Sequence, residues 1–336
     1  MRTQVCITVD TEFSIADTFT NLRDGQPLTT DNVWCPSQGK SQGLGFMLEL
    51  FKQYGIEATF FLEALHRHYF RDDPMRHIAH TIQTHGHELQ LHIHPVWSVF
   101  HHSDWLARVR AQPRQDDFCG RPVAESQALI KAGQAAFDAW QLPPPTVFRS
   151  GNLQYDPNLY QALAACGIHN ASNIGLAIFN NGAADYQLYS GIHSRKGVRE
   201  CPVLSYSDWQ IGNRRHLKTA TIIGSSFAEI RHLLWQARQI EIPLIVILTH
   251  PFEYIHSRDD HLRDAIPNRR VQKRLEHLCR FLHNHQEHFS AVGMAHALEQ
   301  TTELQCGVNQ MLRVPLSHAL PRMVVQAADN VLSRIH

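Results

Sequence analysis

Short apolar runs alternate along this chain with longer stretches of helical spacing. Val5 to Val9 (VCITV) is a β-branched run that predicts a buried strand, and Gly43 to Tyr54 carries the spacing of a helix. Ala58 to Leu62 (ATFFL) is the next strand, entered through Gly55-Ile56. The phrase returns downstream. Asp156-Pro157 predicts an N-cap with proline at the first helical position, a helix to Cys166, Gly167 past its end, and a strand from Ile168. Ser226 and Glu229 have capping-box spacing for a helix to about Arg238, followed by the strand Leu244 to Leu248. A helix from Arg269 to His285 and a strand from Phe289 to Val292 close the series.

Strand and helix in this alternation predict a parallel sheet covered by helices, either open and doubly wound or closed as a barrel. Two segments break the rhythm, a polar insert at 11–42 and an irregular stretch at 176–217, and both are long enough to be functional loops. No low-complexity linker divides the chain, so one domain over residues 1–300 is expected. A helical extension over 301–336 follows, with an amphipathic stretch from Pro321 to Ile335.

Composition narrows the functions. With 336 residues and 43% hydrophobic positions the chain can bury a sizeable core. Its 31 basic and 31 acidic residues cancel, which leaves no basic field for nucleic acid or an anionic membrane. The longest apolar stretch, Ile242 to Leu248, is far short of the ~20 residues that span a bilayer. MRTQVCITVDTEF lacks the apolar core of a secretory signal, so a soluble, cytoplasmic protein is expected. The 7 cysteines are scattered without a CxxC pair, against both a disulfide framework and a cysteine-type zinc site. The 24 histidines raise the odds of a metal or acid–base site without locating it.

Polar residues at the ends of the predicted strands do locate one. Asp10 and Glu12 follow the first strand two residues apart, and His92 and His94 share the same parity in GHELQLHIHP. Arg149-Ser150-Gly151-Asn152 follows Thr146 to Phe148, and His250 follows the strand that ends Leu248-Thr249. Each signal alone has an ordinary structural reading, as a turn residue, a chance HxH or a core histidine. Together they converge from many strands on one rim, which favours a barrel over an open sheet.

The ordered set VDTE, ATFF, GHELQLHIHP, FRSGN and LTHP resembles the polysaccharide deacetylases of the NodB-homology class, carbohydrate esterase family 4, over about residues 3–298. The wording is most similar to exopolysaccharide-cluster deacetylase-like proteins sometimes labelled WalW. The resemblance implies a distorted (β/α)7 TIM-like barrel that removes N-acetyl groups from carbohydrate with a divalent metal, expected to be Zn2+. It implies Asp10 as general base, Arg149 as its partner, His250 as general acid, and Glu12 and His92 as metal ligands. Leu248 would line the acyl pocket, with Gly151, Asn152 and Trp97 beside the substrate. Where the family has its second histidine ligand the chain has Val96, so His94 is the nearest substitute. His87 has the wrong parity and lies about 17 Å of strand away, while His101 and His102 would have to swing in from a loop. The RxPY segment is replaced by Arg149 to Asn152, and no acidic partner for His250 is legible near Asn170 to Ser172. Alternatives are a metal-independent hydrolase of a cyclic amide or ureide, resembling allantoinase, and an inactive carbohydrate-binding barrel. A cytoplasmic location would make the substrate a lipid-linked or nucleotide-linked sugar, or a glycan at the inner membrane face.

Overall fold

Strand β1 (Thr3–Thr11) is buried along almost its whole length, as a strand covered on both faces must be. The computed structural model describes residues 2–212, 214–301, 306–320 and 322. Around β1 lie β2 (Thr59–Glu63), β3 (Glu88–Ile93), β4 (Val147–Ser150), β5 (Asn170–Ala171), β6 (Val198–Glu200) and β7 (Leu244–Thr249). They pair in the order β7-β1-β2-β3-β4-β5-β6, all parallel, and a short β8 (Phe289–Ala291) also pairs with the start of β1. Helices α1 (Leu44–Tyr54), α2 (Met75–Thr84), α3 (Val123–Ala139), α4 (Pro157–Ala165), α5 (Phe227–Gln239) and α6 (Arg269–Asn284) complete the alternation.

The sheet curls into a distorted (β/α) barrel whose last seam is closed by single bridges. Val203 meets Val246 and Thr221 meets Leu248 in parallel, so the free edge of β7 is covered by two short pieces of chain in place of a full strand. The strand expected from Ile168 shrinks to Asn170–Ala171, because the chain turns away at Asn173 to meet Glu200. Elsewhere the local signals act as written. Asp156 accepts from the Leu159 N–H, Ser226 and Glu229 form both halves of the capping box, and Gly167 takes φ 75° beyond α4. The extension predicted from Pro321 to Ile335 lies outside the described residues except for Arg322.

Strand parity decides what reaches the barrel interior. On β7, Leu244, Val246 and Leu248 join one apolar cluster with Cys6, Phe61 and Val147, while Ile245 and Ile247 join the larger cluster under the helices. Continuing that inward parity places Asp10 after Cys6 and Thr8, His92 after Gln90, Arg149 after Val147, and His250 after Leu248. The chemistry therefore stands on the C-terminal rim, above an apolar plug.

Candidate active site

Ladder register sets these rim residues in two adjacent rows, with Asp10 one inward step below the others. Asp10 pairs across to Phe61, and Glu63, His92 and Arg149 lie in one row across β2, β3 and β4. Arg149 is fully buried, donates to an Asp10 carboxylate oxygen at 2.8 Å and also to the Thr8 hydroxyl, and its guanidinium lies 4.2 Å over the Phe61 ring. Its remaining donors reach the Ser172 carbonyl and hydroxyl. A buried cation hydrogen-bonded through all three of its nitrogens is a rigid platform, and it fixes one oxygen of Asp10 while the other faces His250 Nε2 at 3.9 Å.

Glu12, His92 and His94 bring three ligand atoms within 4.8 Å of one another, and no other such group exists among the described residues. A Glu12 carboxylate oxygen lies 2.9 Å from His94 Nε2 and 3.5 Å from His92 Nε2. Both imidazoles are oriented from behind. His92 Nδ1 donates to the Arg149 carbonyl at 2.9 Å, and His94 Nδ1 donates to Asp116 at 2.8 Å, which turns both Nε2 atoms toward Glu12. Asp116 is held in turn by Arg114, Asn152 and the Val96 N–H. Burial opposes charge on Glu12, but His94 and His92 hold its carboxyl well below the usual range. Burial likewise opposes a proton on His94, yet Glu12 and Asp116 hold its pKa well above the ordinary value. A position that concentrates positive charge between a carboxylate and two oriented imidazole nitrogens fits a divalent cation, and the donor set is one that zinc takes.

His250 stands across the rim, with about a fifth of its side chain exposed, stacked on Phe252. Its Nδ1 meets Glu253 at 2.9 Å. Glu253 also accepts from the Thr249 hydroxyl at 2.7 Å, so it is locked on both oxygens. Burial would lower the imidazole's pKa, but the Glu253 hydrogen bond and charge, with Asp10 and Glu12, raise it to about 9.

Among the residues assigned to the substrate, Trp97 and Asn152 stand on the wall of a cavity of about 300 Å3 that also exposes Glu12 and His94. Gly151 packs under the imidazole of His94, where an added Cβ would lie 2.5 Å from the ring, so glycine makes room for that side chain. Leu248 is buried in the interior cluster below the rim. His87 packs against Phe51 and Phe60 near the start of β3, and His101 and His102 are exposed beside His68, away from the Glu12 cluster. Three carboxylates escaped the sequence reading. Glu253 had a signal, its spacing of three from His250 in THPFE. Asp116, in an irregular stretch, had none. Glu63 is fully buried under His94, accepts from the backbone N–H groups of Leu65 and His94, and has its pKa pushed up to about 7 by burial.

No family model matches the chain, and no curated protein matches it. Solved structures do resemble it. A Mycobacterium smegmatis protein assigned by name to the polysaccharide deacetylases is 15% identical, with 93% of this chain and 94% of that one covered at a TM-score of 0.48. A family 4 carbohydrate esterase from Streptomyces lividans, in complex with acetate, is 12% identical over 87% and 92% of the two chains, with a TM-score of 0.42. A Xyl-CE4 domain of a multidomain xylanase, from the hindgut metagenome of Trinervitermes trinervoides, is 12% identical over 95% and 100%, with a TM-score of 0.40. Likenesses this distant leave the function to be read from the geometry of the site.

Proposed function

We propose that the protein is a metal-dependent hydrolase that removes an N-acetyl group from a carbohydrate. Glu12, His92 and His94 would hold the ion, expected to be Zn2+, which when bound polarises the amide carbonyl and acidifies a water. Asp10 accepts the proton of the attacking water at the oxygen that Arg149 leaves free. Arg149 keeps that carboxylate aimed and balances its charge. His250, protonated through neutral pH, donates to the departing amine nitrogen, and Glu253 holds its ring in the donating orientation. Trp97, almost wholly buried against His66, Phe70 and Phe100, backs the cavity wall behind the substrate position.

The observation that carries this reading is the meeting of a two-histidine, one-carboxylate cluster with a base and an acid on one rim, His250 Nε2 being 3.9 Å from Asp10. A buried carboxylate–arginine pair alone would be structural, and an oriented HxH alone would be a binding site. The test is acetate release from N-acetylated sugars by metal-loaded protein, with Asp10→Asn as the key variant. Asp10→Asn should bind the ion as the parent does while kcat falls by at least about 10²-fold. Full activity after complete metal removal, or unchanged activity in Asp10→Asn, overturns the reading.

A further inference from the structure

The cavity that opens onto Glu12 and His94 is asymmetric in charge. One wall comes from the insert after β1, through Phe13 to Ala16 and Asn32, and contributes no charged side chain beyond Glu12. The lining also includes Trp97 and Arg114, and apart from histidine Arg114 is the only cation lining the cavity among the described residues. One Arg114 nitrogen donates to Asp116 at 2.9 Å, but that carboxylate is buried behind the wall while the guanidinium is 48% exposed. The Arg114 side chain makes no other hydrogen bond or ion pair among the described residues, so a face of the fork remains for a ligand. The insert wall is braced on both sides. Arg110 donates to the Leu22 carbonyl, His261 meets Asp17 at 3.2 Å, and the Ser37 hydroxyl donates to the Ala265 carbonyl. The braced insert and a half-exposed guanidinium line one space of about 300 Å3, at the lower end of small-molecule sites.

We infer that the sugar accepted here carries an anionic oxygen group, a phosphate or a carboxylate, and that Arg114 receives it while the acetamide lies at Glu12, His92 and His94. The inference rests on the deacetylase reading of the same site and names its substrate class. A planar fork already held at one nitrogen loses little freedom on meeting a two-oxygen acceptor, and arginine suits such groups better than lysine.

The test compares three probes on metal-loaded protein: N-acetylglucosamine 1-phosphate, N-acetylmuramic acid and the neutral methyl N-acetylglucosaminide. At least one anionic probe should exceed the neutral one in kcat/KM by about tenfold at low salt, and which one does so separates phosphate from carboxylate. Because Arg114 also touches Asp116, the quantity read is the ratio of anionic to neutral turnover within each variant. Arg114→Gln should collapse that ratio toward one, and Arg114→Lys should keep part of it. A neutral probe turned over as well as both anionic ones, or a ratio untouched in Arg114→Gln, overturns the inference. If no probe yields acetate, the deacetylase reading fails by itself, and calorimetric binding of glucosamine 1-phosphate, muramic acid and methyl glucosaminide still decides the inference. Tighter binding of an anionic amine that is lost in Arg114→Gln supports it, and equal binding of all three overturns it.

Discussion

At the scale of single residues, the site works by giving each titrating group a fixed partner. His250 is the clearest case, because burial pushes its proton off while Glu253, Asp10 and Glu12 hold it on, and the balance stands at about 9. An acid with that value keeps its proton through neutral pH and loses it as pH rises through about 9. Activity that depends on it should therefore be level on the neutral side and fall on the alkaline side. Glu253→Gln removes the largest influence raising His250, so the alkaline limb of the kcat/KM profile should move to lower pH. A limb that stays in place would assign the acid to another group. Asp10, His92, Arg149 and His250 were legible as residues because strand parity and strand ends are written locally. Their orienting partners were mostly not, since Asp116 lies 22 residues from His94 in an irregular stretch and meets it only after folding.

At the scale of elements, the turn after β4 shows how the rim packs around His94. Asn152 and Leu153 have φ of 55° and 51°, the left-handed region that side chains seldom adopt, and Gly151 just before them lies against the His94 ring. Gly151→Ala would place a methyl group 2.5 Å from that ring, and the imidazole must turn to escape it. The expected result is a fold that persists, with metal affinity reduced by about 10- to 100-fold, as when a ligand's supporting contact is lost. Metal titration of the variant checks this, and parent-like affinity would show that His94 is not held by this contact. The glycine was visible in FRSGN, but what it makes room for depends on β3 and β4 lying side by side.

At the scale of the whole molecule, the barrel closes at a seam where single bridges replace a strand. Glu200 sits there fully buried, accepting from the Asn173 and Ile174 N–H groups and from Tyr160, and Asn173 in turn accepts from the Ser150 N–H at the rim. Burial raises its pKa from 4.5 to about 7, so between those values the folded protein binds more protons than the unfolded chain. Stability from this group is therefore full below about 4.5, declines as pH rises, and levels off above about 7, a span of at most about 3 kcal/mol. Urea unfolding at about pH 5 and about pH 8 should show that decline in the parent and a smaller one in Glu200→Gln. Equal slopes would mean that Glu200 does not carry its proton into the fold.

Much of the protein was settled by its sequence alone, for a physical reason that is short in range. Apolar runs, helical spacing, Asp156, the Ser226–Glu229 box and Gly167 each act within a turn or two of the chain, so the strands and helices can be read without knowing where they pack. The same parity set Asp10, His92, Arg149 and His250 on the inner face once a barrel was assumed. Only the tertiary structure decided how the barrel closes, because Val203 and Thr221 meet β7 through single bridges between stretches far apart in the chain. Only it brought Asp116 to His94, Glu63 beneath that same residue, Arg114 to the cavity wall and the insert across the rim. Those contacts join residues far apart in the chain, and their energy is realised only when separate elements bury one another.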